Sequence, residues 1–211
     1  MRYEINAKNK GDGLALLQGL TSDSLPVVFF DPQYRTILNK LAYGNEGARQ
    51  KGRASLPQMA DGTIEDFLTE ITRAVRPSGH LFLWVDKLIL CEGTFRWREM
   101  PIVDLITWRK PKMGMGYRSR RVSEYLLVMQ KPPTRAKGVW RDHGIPDVWP
   151  EEPAPGLHPH RKPLQLQERL IRAVTEEGEL VVDPAAGSFS VLAAASAANR
   201  EFLGCDIRGA I

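Results

Sequence analysis

Apolar residues recur along the chain in short runs that predict the strands of a sheet. Val27–Phe30 is apolar at every position, which is typical of a strand buried on both faces of a parallel sheet. The runs with the length and apolar content of strands are Arg2–Asn6, Val27–Phe30, His80–Val85, Ile102–Trp108, Glu124–Met129, Glu179–Val182 and Glu201–Cys205.

Between many of these runs the apolar positions follow helical spacing instead. Helices are predicted over Leu14–Leu20, Thr63–Val75, Pro163–Thr175 and Ser190–Asn199. Strands that alternate with helices predict a doubly wound α/β fold, in which helices cover both faces of a mostly parallel, seven-stranded sheet.

Two stretches depart from this pattern. Gly44–Pro57 is polar, basic and glycine-containing, which predicts a surface loop. Lys131–Pro163 holds eight of the fifteen prolines, which predicts an extended connector over residues 131–162 rather than a second core. We therefore expect a single domain over residues 1–211.

Composition and charge exclude several classes of protein. The net charge is only +4, from 29 Lys and Arg against 25 Asp and Glu, and such an excess by itself says little about partners. The two cysteines, Cys91 and Cys205, form neither a disulfide framework nor a CxxC zinc motif. No run approaches the roughly 20 apolar residues of a membrane helix, and the first residues do not resemble a secretory signal. A cytoplasmic protein without a metal or a membrane partner is expected.

Two of the predicted strands end in the same Asp-Pro pair. In VVFFDPQYR, residues 27–35, the strand must end at Pro32 because proline cannot donate to a sheet ladder. Asp31 and Tyr34 then lie at the carboxyl end of a buried strand, where open α/β sheets bind their ligands. The chain is thus expected to carry a binding site at this edge.

The second Asp-Pro pair lies in ELVVDPAAGSFS, residues 179–190, and is followed by small residues and a helix. Short side chains let the backbone approach a ligand, and the first N–H groups of a helix are free to bind it. About twenty residues further on, Asp206 ends a third strand, where nucleotide-binding α/β proteins hold ribose hydroxyls. By itself this segment also fits an ordinary strand–turn–helix with an N-capping serine.

Together these segments resemble the amino-methyltransferases that modify DNA bases with S-adenosylmethionine. VVFFDPQY is similar to their Asp-Pro-Pro-Tyr motif, and HPHRKPLQLQERLIRAV, residues 158–174, to their His-Pro-x-Gln-Lys-Pro segment. Residues 179–207 resemble their cofactor-binding strand, loop, helix and strand. Because the catalytic motif precedes the cofactor motif, the order matches the circularly permuted beta class. The resemblance implies the Rossmann-like class I methyltransferase fold and S-adenosylmethionine as cofactor.

By this resemblance Asp31, the backbone carbonyl of Pro32 and Tyr34 form the catalytic site. Two acceptors that hold both N–H groups of an exocyclic amine free its lone pair from the ring and aim it at the methyl donor. Tyr34 would stack on the target base, which must be flipped out or single-stranded to arrive there. The implied cofactor-binding residues are Asp12, Lys162, Asp183, Ala185, Gly187, Ser188 and Asp206. Among them, Asp12 would lie near the adenine and Asp206 would hold the ribose.

Basic residues cluster where DNA would have to lie. The stretch from Arg109 to Arg121, RKPKMGMGYRSRR, contains six Lys or Arg and no acid, which suits a phosphate clamp. The alternative is a charged loop that is merely solvated. The residues predicted to contact DNA are Arg49, Lys51, Arg53, Arg109, Lys110, Lys112, Arg118, Arg120 and Arg121.

The chain departs from the family pattern at three places. Gln33 replaces the second proline, Ala185 and Phe189 replace the usual Phe and second Gly, and His160-Arg161 replaces a Thr-Gln pair. Two hypotheses therefore stay open: an adenine-N6 DNA methyltransferase, with cytosine-N4 as the alternative target, and a nucleic-acid-binding module with weakened turnover. Glu124 is given no catalytic role, and Trp84 is assigned to the core.

Recognition of a DNA sequence should be short or relaxed. Residues 131–162 offer only a minimal target-recognition segment, unless a partner or a second copy in a homodimer supplies more.

Overall fold

The computed structural model describes residues 3–32, 59–85, 87–92, 97, 99–113, 119–153 and 161–209. Its helices are α1 (Gly13–Gln18), α2 (Asp61–Ala74), α3 (Lys87–Glu92), α4 (Leu164–Val174) and α5 (Ser190–Ala197). Its strands are β1 (Asn9–Lys10), β2 (Leu25–Phe30), β3 (Val75–Val85), β4 (Ile102–Arg109), β5 (Ser123–Gln130), β6 (Val148–Pro150), β7 (Leu180–Asp183) and β8 (Glu201–Asp206).

The strands form one sheet in the order β1-β8-β7-β2-β3-β5-β4-β6. Every neighbouring pair is parallel except the two that involve β5, which runs opposite to β3 and β4. The predicted α/β fold with a mostly parallel sheet is confirmed. Within the described residues the sheet has eight strands rather than the predicted seven.

The sheet is buried on both faces, as the unbroken apolar runs predicted. Along β2, Val28 and Phe30 face a cluster that includes Leu17 of α1 and Ile71 of α2. The alternate residues Val27 and Phe29 face a second cluster with α4 and α5. The period of two along the strand therefore divides the core into two layers.

The helices that follow β2 and β7 lie on opposite faces of the sheet. Helix α2, between β2 and β3, belongs to the first cluster, and α5, between β7 and β8, belongs to the second. Since β2 and β7 are neighbours, the connections that follow them leave the sheet toward opposite faces. Such a switch point opens a crevice at the carboxyl ends of the two strands.

One predicted strand is wrong, and two short elements were not predicted. The first strand is Asn9–Lys10, because Asn6 has a left-handed φ of 57° that turns the chain within the predicted Arg2–Asn6 run. The proline-rich connector contributes the short strand β6, which pairs with the end of β4. Helix α3 was not predicted.

No helix among the described residues is long and apolar enough to cross a membrane. In the same part of the chain, no group of three or more His, Cys, Asp or Glu side chains is arranged to hold a metal ion.

Candidate active site

The two Asp-Pro turns lie side by side at the carboxyl edge of the sheet. Strands β2 and β7 pair in parallel with Val28 opposite Val182, so both strands reach this edge together. Asp31 follows the end of β2, and Asp183 is the last residue of β7. Two motifs about 150 residues apart therefore meet, because parallel strands end at the same edge of a sheet.

A cavity of about 470 Å³ opens between these turns, a volume typical of small-molecule sites, which span about 300 to 1,000 Å³. Its wall includes every residue predicted to bind the cofactor: Asp12, Lys162, Asp183, Ala185, Gly187, Ser188 and Asp206. Asp31 also lines it, whereas the neighbouring Pro32 is buried and is not in its wall. Tyr34 lies outside the described residues.

The loop between β7 and α5 keeps its bulky residue out of the cavity. Phe189 has a left-handed φ of 57°, and its side chain, 3% exposed, packs in the second core cluster beside Phe202 at 6.4 Å between ring centroids. Ala185 lines the cavity and contacts the first cluster. The departure from glycine at Phe189 therefore leaves the cavity open.

The loop before α1 reaches the cavity by a close backbone approach. A Cβ on Gly13 would lie 1.9 Å from the carbonyl oxygen of Pro184, so only glycine fits against the second Asp-Pro turn. Asp12 caps α1, its carboxylate accepting a 2.8 Å hydrogen bond from the backbone N–H of Leu14. The GDG sequence thus brings Asp12 to the cavity wall.

Lys162 joins Asp31 to a second carboxylate. Its Nζ lies 3.0 Å from Asp31 Oδ2 and 2.8 Å from Glu124 Oε2, and 4.9 Å from the ring centroid of Trp84. Lys110 also pairs with Glu124. Lys162 was predicted to bind the cofactor, and it is also in direct contact with the predicted catalytic acid, Asp31.

These contacts keep the pair ionised at neutral pH. Burial alone would raise the pKa of Glu124, but the charges of Lys162 and Lys110 outweigh burial and lower it to about 2. Burial would lower the pKa of Lys162, but Asp31 and Glu124 raise it above its ordinary value. A fixed positive charge consequently stands beside Asp31.

The pKa of Asp183 is shifted in the opposite direction to that of Glu124. The pKa of its carboxyl is raised to about 8, chiefly by burial and also by the nearby charges of Asp31 and Asp206, although the hydrogen bond from the Ala185 N–H and the charge of Lys162 act in the opposite direction. A cation bound beside Asp183 would therefore stabilise the charged form of this carboxyl.

Sequence reasoning missed the role of two residues at this site. Glu124 is the second residue of β5, and because β5 is the reversed strand, its start and not its end lies at the cavity edge. Trp84 was assigned to the core; it is 2% exposed, yet it also lines the cavity under Lys162. The direction of a strand in the sheet is the missing signal, and it cannot be read from a short apolar run.

The predicted DNA contacts that the structure describes lie at the same edge. Arg109 ends β4 opposite Ser123, the first residue of β5, so Arg109 and Lys112, which follow β4, and Arg120 and Arg121, which precede β5, lie at the same edge of the sheet as the cavity. Arg109, Lys112 and Arg120 are exposed, while Lys110 is partly buried in its pair with Glu124. The remaining predicted DNA contacts, Arg49, Lys51, Arg53 and Arg118, lie outside the described residues.

The chain is similar to proteins that methylate DNA. The DNA methylase family of N6- and N4-specific enzymes matches residues 25–211. Type II methyltransferase M.HhaII of Haemophilus parahaemolyticus is 49% identical over 96% of this chain and 91% of its own length. DNA adenine methyltransferase YhdJ of Escherichia coli K12 is 46% identical over 93% of this chain and 76% of its own.

Solved structures share the fold at lower identity. The PvuII DNA methyltransferase, which is cytosine-N4-specific, aligns with a TM-score of 0.71 at 16% identity over 94% of this chain and 80% of its own. The complex of M1.HpyAVI with S-adenosylmethionine aligns with a TM-score of 0.64 at 18% identity over 94% and 92%. The family match over most of the sequence and the shared fold lead to one conclusion: this chain belongs to the S-adenosylmethionine-dependent DNA methylases that modify the amino groups of bases.

Proposed function

We propose that this chain methylates the N6 amino group of adenine in DNA. The observation that carries the proposal is the single cavity lined by both Asp-Pro turns, with Asp31 at 31% side-chain exposure and Asp183 buried. A methyl donor and an acceptor amine held in one cavity can react directly, without a covalent enzyme intermediate.

The wall of the cavity suits a cationic nucleoside. Asp12, Asp31, Asp183 and Asp206 contribute carboxyls to it, and the raised pKa of Asp183 reflects burial and the nearby charges of Asp31 and Asp206. S-adenosylmethionine, when bound, supplies a methyl group on a positively charged sulfur. We assign its methionine part to the loop of Asp183, Ala185, Gly187 and Ser188, its ribose to Asp206 and its adenine to the side of Asp12.

Asp31 and the carbonyl of Pro32 would accept the two N–H groups of the target amine. Those hydrogen bonds let the nitrogen become pyramidal, so that its lone pair turns away from the ring and toward the donor side of the cavity. Lys162, held between Asp31 and Glu124, fixes the orientation of the Asp31 carboxylate. Tyr34 would stack on the base.

Adenine is preferred over cytosine on the strength of one relative. YhdJ, 46% identical to this chain, is named a DNA adenine methyltransferase. The cytosine-N4-specific PvuII enzyme shares the fold at only 16% identity. Cytosine N4 is the second candidate, because its amine presents the same two N–H groups to Asp31.

The target base would have to leave its helix to reach Asp31, since an amine inside a duplex is shielded by stacking. We propose that the basic residues at the cavity edge, Arg109, Lys110, Lys112, Arg120 and Arg121, hold the DNA backbone, together with Arg49, Lys51, Arg53 and Arg118. Residues 131–162 would serve as the minimal target-recognition segment.

Nucleoside analysis tests the proposal directly. The chain is incubated with unmethylated DNA and labelled S-adenosylmethionine, and the DNA is digested and separated by mass. N6-methyl-2′-deoxyadenosine is expected from the unaltered chain, with a loss of at least about 100-fold in Asp31→Asn, because the isosteric amide no longer offers the same charged acceptor.

The matched control is Asp66→Asn, the same exchange at an exposed position on α2. It should retain full activity. Label on N4-methylcytosine would move the assignment to the second candidate, and undiminished label with Asp31→Asn would overturn the catalytic role of Asp31.

A further inference from the structure

The side chain of Gln167 is a buried polar group in the wall of the active-site cavity. Gln167 is 1% exposed and lies on α4, five residues after Lys162, where it lines the cavity. Its carboxamide oxygen Oε1 is buried, and no group in the described part of the chain donates a hydrogen bond to it.

An unpaired amide oxygen is costly in a protein interior. A buried acceptor without a donor has lost its hydrogen bonds to water and gained none in return. The other inward positions of α4 are apolar: Leu166, Leu170, Ile171 and Val174 are buried in the second core cluster. A leucine at position 167 would fit that apolar pattern. The buried amide instead lowers the stability of the ligand-free chain, and a role in ligand binding would explain its presence.

The position of Gln167 in the cavity wall indicates which part of S-adenosylmethionine it would contact. Asp206 and Asp12, which we assign to the ribose and adenine, come from the β8 and α1 side of the cavity. Gln167 comes from α4, which packs against α5, and it shares the cavity wall with Ser190 and Val191 at the start of α5. The loop assigned to the methionine part leads directly into that helix.

We infer that Gln167 is a cofactor-binding residue whose Oε1 accepts a hydrogen bond from the α-ammonium group of S-adenosylmethionine. The ammonium carries three N–H donors and the amide oxygen is an acceptor without a donor. A charge-assisted hydrogen bond in a buried site is among the stronger ones. This inference rests on the assignment of the cavity to the cofactor.

The test uses Gln167→Leu and compares two ligands by calorimetry. One is S-adenosylmethionine, and the other is 5′-methylthioadenosine, which keeps the nucleoside and sulfur but lacks the amino-acid end. Gln167→Leu should weaken S-adenosylmethionine about 10- to 100-fold, as expected for a lost hydrogen bond to a charged group. It should leave methylthioadenosine affinity unchanged within about twofold.

The ligand-free protein gives a second readout of opposite sign. Because leucine removes the unpaired oxygen, Gln167→Leu should raise the Tm of the free chain by about 2 to 4 °C. The matched control is Gln165→Leu, the same exchange at an exposed position of α4, which should change neither the Tm nor either affinity appreciably.

The outcomes separate this inference from the proposed function. If the unaltered chain binds neither ligand, the cofactor assignment of the cavity fails. If it binds both and Gln167→Leu weakens them equally or not at all, the assignment stands and the role of Gln167 is overturned. An effect confined to the KM for DNA would also overturn it, since Gln167 would then face the target base.

Discussion

At the scale of single residues, the site depends on a chain of charges that runs from the cavity to the surface of β4. Asp31, Lys162, Glu124 and Lys110 alternate in sign, each in contact with the next. Lys162 is 14% exposed, and a cation in such a place needs counter-charges to stay there. Asp31 and Glu124 are the two counter-charges of Lys162. Because Glu124 shares this role, the Asp31 carboxylate can still accept a hydrogen bond from a substrate.

Glu124→Gln should therefore lower kcat about 10-fold or more while leaving the Kd for S-adenosylmethionine nearly unchanged. Without Glu124, Lys162 pairs with Asp31 alone and competes with the target amine for its oxygens. Steady-state kinetics with calorimetry of cofactor binding measures the two effects separately. A fall in cofactor affinity that accounts for the whole loss of activity would contradict a role in orienting Asp31.

The same residue predicts a dependence of stability on pH. The pKa of Glu124 lies at about 2 in the folded chain, below its ordinary 4.5, because Lys162 and Lys110 outweigh the effect of burial. Its contribution is complete above about pH 4.5 and is lost as the pH falls toward 2. The difference in Tm between the unaltered chain and Glu124→Gln should accordingly shrink over that range. Glu168→Gln, which breaks a helical surface pair with Arg172, should show only a small difference at any pH.

At the scale of elements, the approach of α1 to the second Asp-Pro turn joins two segments distant in the sequence. Gly13→Ala places a methyl group where the Pro184 carbonyl already lies, so α1 or the turn must shift. We expect a loss of about 1 to 3 kcal/mol in stability and a weaker affinity for S-adenosylmethionine, both measurable by thermal unfolding with and without the cofactor.

Gly62→Ala is the matched control, since a Cβ on Gly62 in the first turn of α2 meets nothing within 4 Å. Alanine is the better helix former there, by up to about 1 kcal/mol, so this variant should be equally or more stable. A Gly13→Ala protein that behaves like Gly62→Ala would show that the close approach does not position the cavity wall.

Elements with a strong apolar pattern could be predicted from the sequence. Elements that form only because a neighbouring strand pairs with them could not. The runs 27–30 and 179–182 needed only their own residues to be read as buried strands. The structure extends the first to Leu25–Phe30 and shifts the second by one residue to Leu180–Asp183. Strand β6 has three residues in a proline-rich stretch and exists because β4 offers it an edge. Asp31 and Asp183 were found because Asp-Pro marks a strand end, whereas Glu124 and Gln167 look in sequence like a strand start and a helix residue of no special character.

At the scale of the whole molecule, the described chain carries basic residues at both ends of its strands, and only one end bears the cavity. Arg120 and Arg121 lie just before β5, beside the cavity edge, while Arg135 and Lys137 follow β5 at the opposite edge, near the start of β3. Net charge alone would not distinguish the two edges as sites for DNA. The two edges differ in their distance from Asp31, and that difference predicts which of them binds DNA.

The double variant Arg120→Ala/Arg121→Ala should weaken DNA binding and reduce the slope of log K against log salt by about 1 to 2, because each lost phosphate contact removes close to one unit. Arg135→Ala/Lys137→Ala removes the same charge from the opposite edge and should leave the slope nearly unchanged. Fluorescence anisotropy with a labelled duplex over a salt series measures both. Equal slopes for the two variants would mean that DNA responds to net charge and does not bind over the cavity, and the basic residues beside Asp31 would then be an ordinary solvated surface.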